Sequence, residues 1–138
     1  MEDLRSILSS HHNKSKAHAT KEPVEGANAS VSAIPDLFFD EVLIQYKLTR
    51  VEIVLLMYLY RQTWCRPNLH KKHGISPMVS HKVAAEAMDI SLEILHQTLR
   101  RLESFGFIET IRSGQYFVRK YFTAANDKKY GQSYDNFL

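Results

Sequence analysis

The sequence predicts a mainly helical fold closed by one small β-hairpin. Three observations carry this. A capping box at Thr49 opens a long apolar stretch, two short capped segments follow one another from Ser80 to Glu103, and alternating residues flank a Ser-Gly pair at Gly114.

Length and composition bound what such a fold can be. With 138 residues, 44% of them hydrophobic and 24% charged, the chain has room for one ordinary globular domain. Its longest strongly apolar stretch, Ile53 to Tyr60, falls well short of the roughly 18–20 residues that cross a bilayer, so no membrane partner is expected. The first residues lack an apolar run and carry Glu2 and Asp3 where a secretory leader is basic, and Cys65 is the only cysteine. Both features predict a cytoplasmic protein without intrachain disulfides.

From Ser9 to Ser32 the only large apolar residues are Val24 and Val31, too few to offset the entropy of ordering. Residues 1–33 therefore read as a flexible arm, with Leu4, Ile7 and Leu8 as a short amphipathic piece. Residues 34–122 read as the domain and 123–138 as a tail. The formal charge is +3, and the excess lies in the domain because both flanks carry equal numbers of acids and bases. Arg61, Arg66, Lys71, Lys72 and Lys82 form a basic stretch with no acid among them, interspersed with His70, His73 and His81. Such a run is either a solvated loop or a phosphate-facing patch.

Order is expected to begin at Ile34-Pro35-Asp36, where proline and an acid suit a helix start, giving a first helix over about 36–46. In Thr49-Arg50-Val51-Glu52 the threonine oxygen can accept from the Glu52 amide while the carboxylate returns to the threonine amide, so a second helix runs from here to about Trp64. Apolar residues on nearly all its faces imply burial on most sides. Pro77 limits Ile75–Val79 to a short edge strand. Ser80 caps a third helix, His81 to Met88, with Val83, Ala84 and Ala87 as its small buried face.

The segment from Lys82 to Glu109 carries the functional expectation. Small residues Ala84, Ala85 and Ala87 permit a close helix crossing, Met88-Asp89-Ile90 makes a tight connection, and Ser91 caps the next helix. Leu95, Leu99 and Leu102 then form one buried stripe. This is the pattern of a helix-turn-helix, whose second helix enters the major groove. The residues left facing outward are Leu92, Glu93, His96, Gln97 and Arg100, the expected base-reading set: Gln97 suits adenine, Arg100 suits guanine or a phosphate, and Glu93 is tolerable only against a cytosine amino group. Gly106 ends the helix. Alternation about the Ser113-Gly114 turn places Phe107, Ile111, Tyr116 and Val118 beneath the hairpin and Arg112, Gln115 and Arg119 on a basic outer face. The phosphate and wing contacts expected on this basis are Ser80, Lys82, Ser91, Arg101, Arg112, Ser113, Gly114, Gln115 and Arg119, with Arg61, Arg66, Lys71 and Lys72 as a further basic loop.

Residues 34–120 resemble the winged-helix DNA-binding domains of bacteria and phages. The stretches IPDLFFDEVL, LTRVEIVLLMYLYRQTW and VAAEAMDISLEILHQTLRRLESFGFIE are most similar to the amino-terminal domain of the phage replication protein O family, whose Arg-x-Thr-aromatic helix end is matched by Arg61, Thr63 and Trp64. The resemblance implies a winged helix-turn-helix that binds double-stranded DNA, either as a transcriptional regulator or as an origin-binding replication protein, since both use the scaffold.

The same residues also fit two other readings. A winged helix reused for protein recognition is compatible with Leu92 and Ile94 on the reading helix, with the arm or the aromatic tail (Tyr130, Tyr134, Phe137) as contact segments. A homodimer has candidate surfaces in Leu55, Leu56, Tyr58 and Leu59 or in the tail. Cys65, His70, His73 and His81 lack the paired spacing of a structural zinc site, and there is no glycine-rich phosphate cradle or paired-carboxylate signature. No metal, cofactor or enzymatic activity is expected.

Overall fold

The computed structural model describes residues 29–135. Leu4, Ile7, Leu8, Phe137 and residues 1–28 of the segment read as an arm lie outside the described residues. From Ser32 onward the chain forms one unit that takes in the residues after Phe122 as well. It is mainly helical with a single two-stranded antiparallel hairpin among the described residues, and none of its described helices is long and apolar enough to cross a membrane.

The first helix, α1, opens as a wide π-helical turn, Phe38–Val42, and continues as an α-helix, Leu43–Tyr46. Pro35 and Asp36 contribute through their backbone, since their carbonyls accept from Phe38 and from Phe39 and Asp40. Phe38 and Val42 point inward. Helix α2, Arg50–Tyr60, starts at the expected capping box: the Glu52 amide donates to Thr49 Oγ1 at 3.2 Å, and the Thr49 amide donates to Glu52 Oε1 at 2.8 Å. A π-helical turn, Arg61–Cys65, prolongs it, with the Thr63 hydroxyl bound back to the Leu59 carbonyl.

Leu55, Leu56, Leu59 and Tyr60 bury their side chains in the core, so α2 is one-sided rather than buried all round, with Val54 exposed and Met57 and Tyr58 half-buried. Of the four α2 residues considered for dimerisation, three are thereby enclosed in the core and only Tyr58 reaches the surface.

After α2 the chain makes a loop with a 3₁₀ turn, Lys71–His73, and then runs as an extended strip along the hairpin. Helix α3, His81–Met88, is capped by Ser80, whose hydroxyl accepts from the Val83 amide. Its buried face is Ala84 and Ala85; Val83 and Ala87 are exposed, contrary to the spacing-based expectation. The helix is only two turns long and meets the core along one narrow line, which adjacent small residues fill. Asp89 then takes a left-handed conformation with φ 54°, and Ser91 caps α4, Leu92–Ser104, by accepting from the Ile94 amide.

Helix α4 inserts Leu95, Leu99 and Leu102 into the core as its spacing predicts, with Thr98 beside them. Each fully buried leucine of this kind contributes roughly 1.5–3 kcal/mol. Gly106, at φ 83°, turns the chain into strands β1, Ile108–Arg112, and β2, Gln115–Val118. The strands pair Ile108 with Val118 and Arg112 with Gln115, with a bulge at Ile111. The expected edge strand is present as a strip: Ile75 bridges Phe117, the Ser76 amide donates to the Tyr116 carbonyl, and the Val79 amide donates to the Gly114 carbonyl.

Residues after Phe122 do not hang free of this core. Helix α5, Ala124–Lys129, capped by Thr123, brings Asp127 to within 3.1 Å of Arg119, and the Tyr134 hydroxyl donates to the same carboxylate at 2.7 Å. The stretch set apart as a tail is, up to residue 135, an integral part of the folded unit.

Candidate nucleic-acid interface

Helix α4, the start of α3 and the hairpin share one surface. A helix that commits one stripe to the core must present the opposite stripe to solvent. Here that stripe is Leu92, Glu93, His96, Gln97 and Arg100, all exposed. The Gln97 amide donates to Glu93 at 3.5 Å, one turn away, so the carboxylate already has a partner on its own helix.

Between this stripe and the hairpin lies a cleft of about 340 Å³, bordered by His81, His96, Arg100, Glu103, Ser113 and Tyr116 among others. Two contacts set its shape. Glu103 accepts from the Thr110 amide at 2.9 Å and from the Thr110 hydroxyl, which ties the end of α4 to β1. His81 Nε2 lies 2.5 Å from the Tyr116 hydroxyl, which ties α3 to β2, and its ring stands edge-on to His96 with centroids 4.9 Å apart. Burial, and secondarily the charge of His96, lower the His81 pKa from the ordinary 6.5. Tyr116 is raised from 10.0, chiefly by burial. At neutral pH the imidazole is therefore neutral and the hydroxyl protonated, and the tautomer of the ring sets which of the two donates.

Lys82 lies exposed in the first turn of α3, and Arg112 and Ser113 are exposed at the hairpin tip. Ser80 and Ser91 are exposed as well, with their hydroxyls engaged in capping.

Several expected contacts lie elsewhere. Gln115 is 1% exposed: its amide donates to the Ser76 carbonyl and its oxygen accepts from Arg112 Nε at 2.9 Å. It is a brace for Arg112 rather than an outward group, because the strip from Ile75 to Val79 covers the edge where alternation alone would leave it open. Gly114 is buried for the same reason, beneath the Val79 carbonyl. Ile111 is 43% exposed instead of lying underneath, since the bulge rotates it outward. Arg119 follows the end of β2 and is turned to Asp127, with Phe117 under its guanidinium. Arg101 lies against Glu52 and Phe105 on the α2 side of α4.

The basic stretch also divides. Arg66, Lys71 and Lys72 are exposed on a loop held to the chain's later residues through Asp135, whose amide donates to the Lys72 carbonyl and whose own carbonyl contacts His73. Phe117 faces Tyr134 and Gly74 there, whereas Tyr116 faces the cleft. Neighbouring strand residues point to opposite faces, so this loop lies across β2 from the cleft. Arg61 is separate again, beside Met57 and Met88.

Sequence reasoning left out Glu103 and Thr110 and assigned Tyr116 only to the apolar underside. The Glu103 carboxylate reaches Thr110 seven residues on, and His81 reaches Tyr116 across 35. Neither spacing belongs to a local motif.

Comparison of the chain with models of known protein families, with curated proteins and with solved structures returns no match.

Proposed function

We propose that this chain is a winged helix-turn-helix protein that binds double-stranded DNA. In this reading α3 and α4 form the helix-turn-helix, α4 enters the major groove, and the β1–β2 hairpin is the wing. The observation that carries it is that exposed His96 and Arg100 of α4 and exposed Ser113 of the hairpin tip border one cleft, with Gln97 on the same stripe of α4 and Arg112 next to Ser113, both exposed. A helix with polar, hydrogen-bonding side chains on its solvent face reads base edges, and flanking cations and hydroxyls hold the backbone. Lys82 and Arg112 take the phosphate role, with Gln115 holding the Arg112 side chain in place. Regulation of transcription is the first role proposed for it; origin binding in replication is the alternative use of the same surface.

Selection of bound duplexes from a random library tests this, followed by anisotropy titrations of Arg100→Ala. Enrichment of one motif, with Arg100→Ala weakening that motif by about 1–3 kcal/mol and random duplex much less, supports base reading. Affinity should also fall steeply with salt. Binding that is flat across sequences and insensitive to Arg100 would refute it.

A second reading has a specific observation behind it. Leu92 is 48% and Ile94 43% exposed on α4, an apolar content that suits a protein partner. Absence of DNA binding at low salt, together with loss of a native partner in Leu92→Glu, would favour that reading.

A further inference from the structure

On another part of the surface, α1, α2 and α3 leave a groove of about 600 Å³. Phe39, Val54, Met57 and Met88 form its walls, and Phe39 and Val54 remain 54% and 38% exposed. Along α2, Val54, Met57, Tyr58 and Arg61 follow one another at helical spacing, so a continuous apolar stripe ends on a cation. Arg61 is exposed, and among the described residues no acidic side chain lines the groove to neutralise it. Pockets of roughly 300–1,000 Å³, mostly apolar with a few polar groups at fixed places, are the usual form of small-molecule sites.

We infer that this groove binds a small amphipathic anion, an apolar body bearing one carboxylate. The walls take the body out of water, and Arg61 receives the carboxylate in a charge-assisted pair, the geometry a guanidinium favours. A neutral molecule of the same shape gains the first term and not the second. Ala87 and Met88 close the groove at the end of α3, so the occupant touches the helix that leads directly into α4. The site is independent of the DNA-binding reading, and its test contains no DNA.

Octanoate and octanol are titrated separately into the full chain by calorimetry at neutral pH. Wild type is expected to bind octanoate about tenfold more tightly than octanol, the size of one charge-assisted hydrogen bond. Arg61→Gln, an exposed substitution whose thermal melt should match wild type, brings octanoate down to the octanol level and leaves octanol unchanged. Val54→Glu removes binding of both. Equal affinity of wild type for the two ligands, no heat with either, or octanoate binding unaffected by Arg61→Gln overturns the proposal. A dimer in sedimentation that Val54→Glu breaks would overturn it too, because a second copy would then fill the groove.

Discussion

His81 occupies the first turn of α3 with its Nε2 against the Tyr116 hydroxyl and its ring against His96. Arg100 and Glu103 from α4 and Ser113 from the hairpin border the same cleft, and Lys82 follows His81 in the first turn of α3. Its pKa is lowered, first by burial and then by His96. The unfolded chain thus takes up a proton near 6.5 that the folded chain accepts only at lower pH. Stability contributed by neutral His81 is present above that value and is lost as pH falls through the window below it. Melting temperature should drop as pH falls below about 6.5, and His81→Gln should flatten the slope. An unchanged slope in that variant would mean another group drives the loss. Arg112 shows a different principle at this scale: a cation positioned by a buried neighbour, Gln115, keeps its direction in a way that a free surface arginine does not.

At the scale of elements, the hairpin is defined by how closely the strip from Ile75 to Val79 approaches it. Gly114 has φ 85°, and a Cβ there would lie 2.8 Å from the Val79 carbonyl oxygen. Gly114→Ala combines a left-handed backbone penalty with that clash, so urea unfolding should show a loss of about 2 kcal/mol or more. A value near zero would mean that strip and hairpin separate easily. The turn itself was legible in the sequence because Gly is demanded by local backbone geometry. So were the Thr49 and Glu52 capping box, the Ser80 and Ser91 caps and the leucine stripe of α4, all of which depend on residues within one or two helical turns. What alternation misplaced was Gln115, Ile111 and Arg119. Their surroundings come from Ser76, a bulge and Asp127, and no count along β2 contains them. Val83 and Ala87 were misplaced similarly: residue size allows burial, but the line of contact with the core selects Ala84 and Ala85.

For the whole molecule, closure depends on Asp127. It is 3% exposed and accepts from Arg119, from the Tyr121 amide and from the Tyr134 hydroxyl. Asp127→Ala strands the Arg119 guanidinium and the tyrosine hydroxyl together, so chemical denaturation should register a loss of about 3 kcal/mol or more. Lys128→Ala, one residue along and exposed, should stay within about 0.5 kcal/mol of wild type. Equal effects from the two would remove Asp127 from its central place. The same closing segment shelters Trp64, the only tryptophan in the chain. Its indole N–H donates to the Val118 carbonyl at 3.0 Å, and the Tyr134 ring lies 6.3 Å away. Nature has thus placed one fluorophore at the seam between the helices and the last turns of chain. Its emission maximum will shift to the red when that seam opens, and a shift that precedes the loss of helical ellipticity will time the opening of the last turns separately from the melting of the rest.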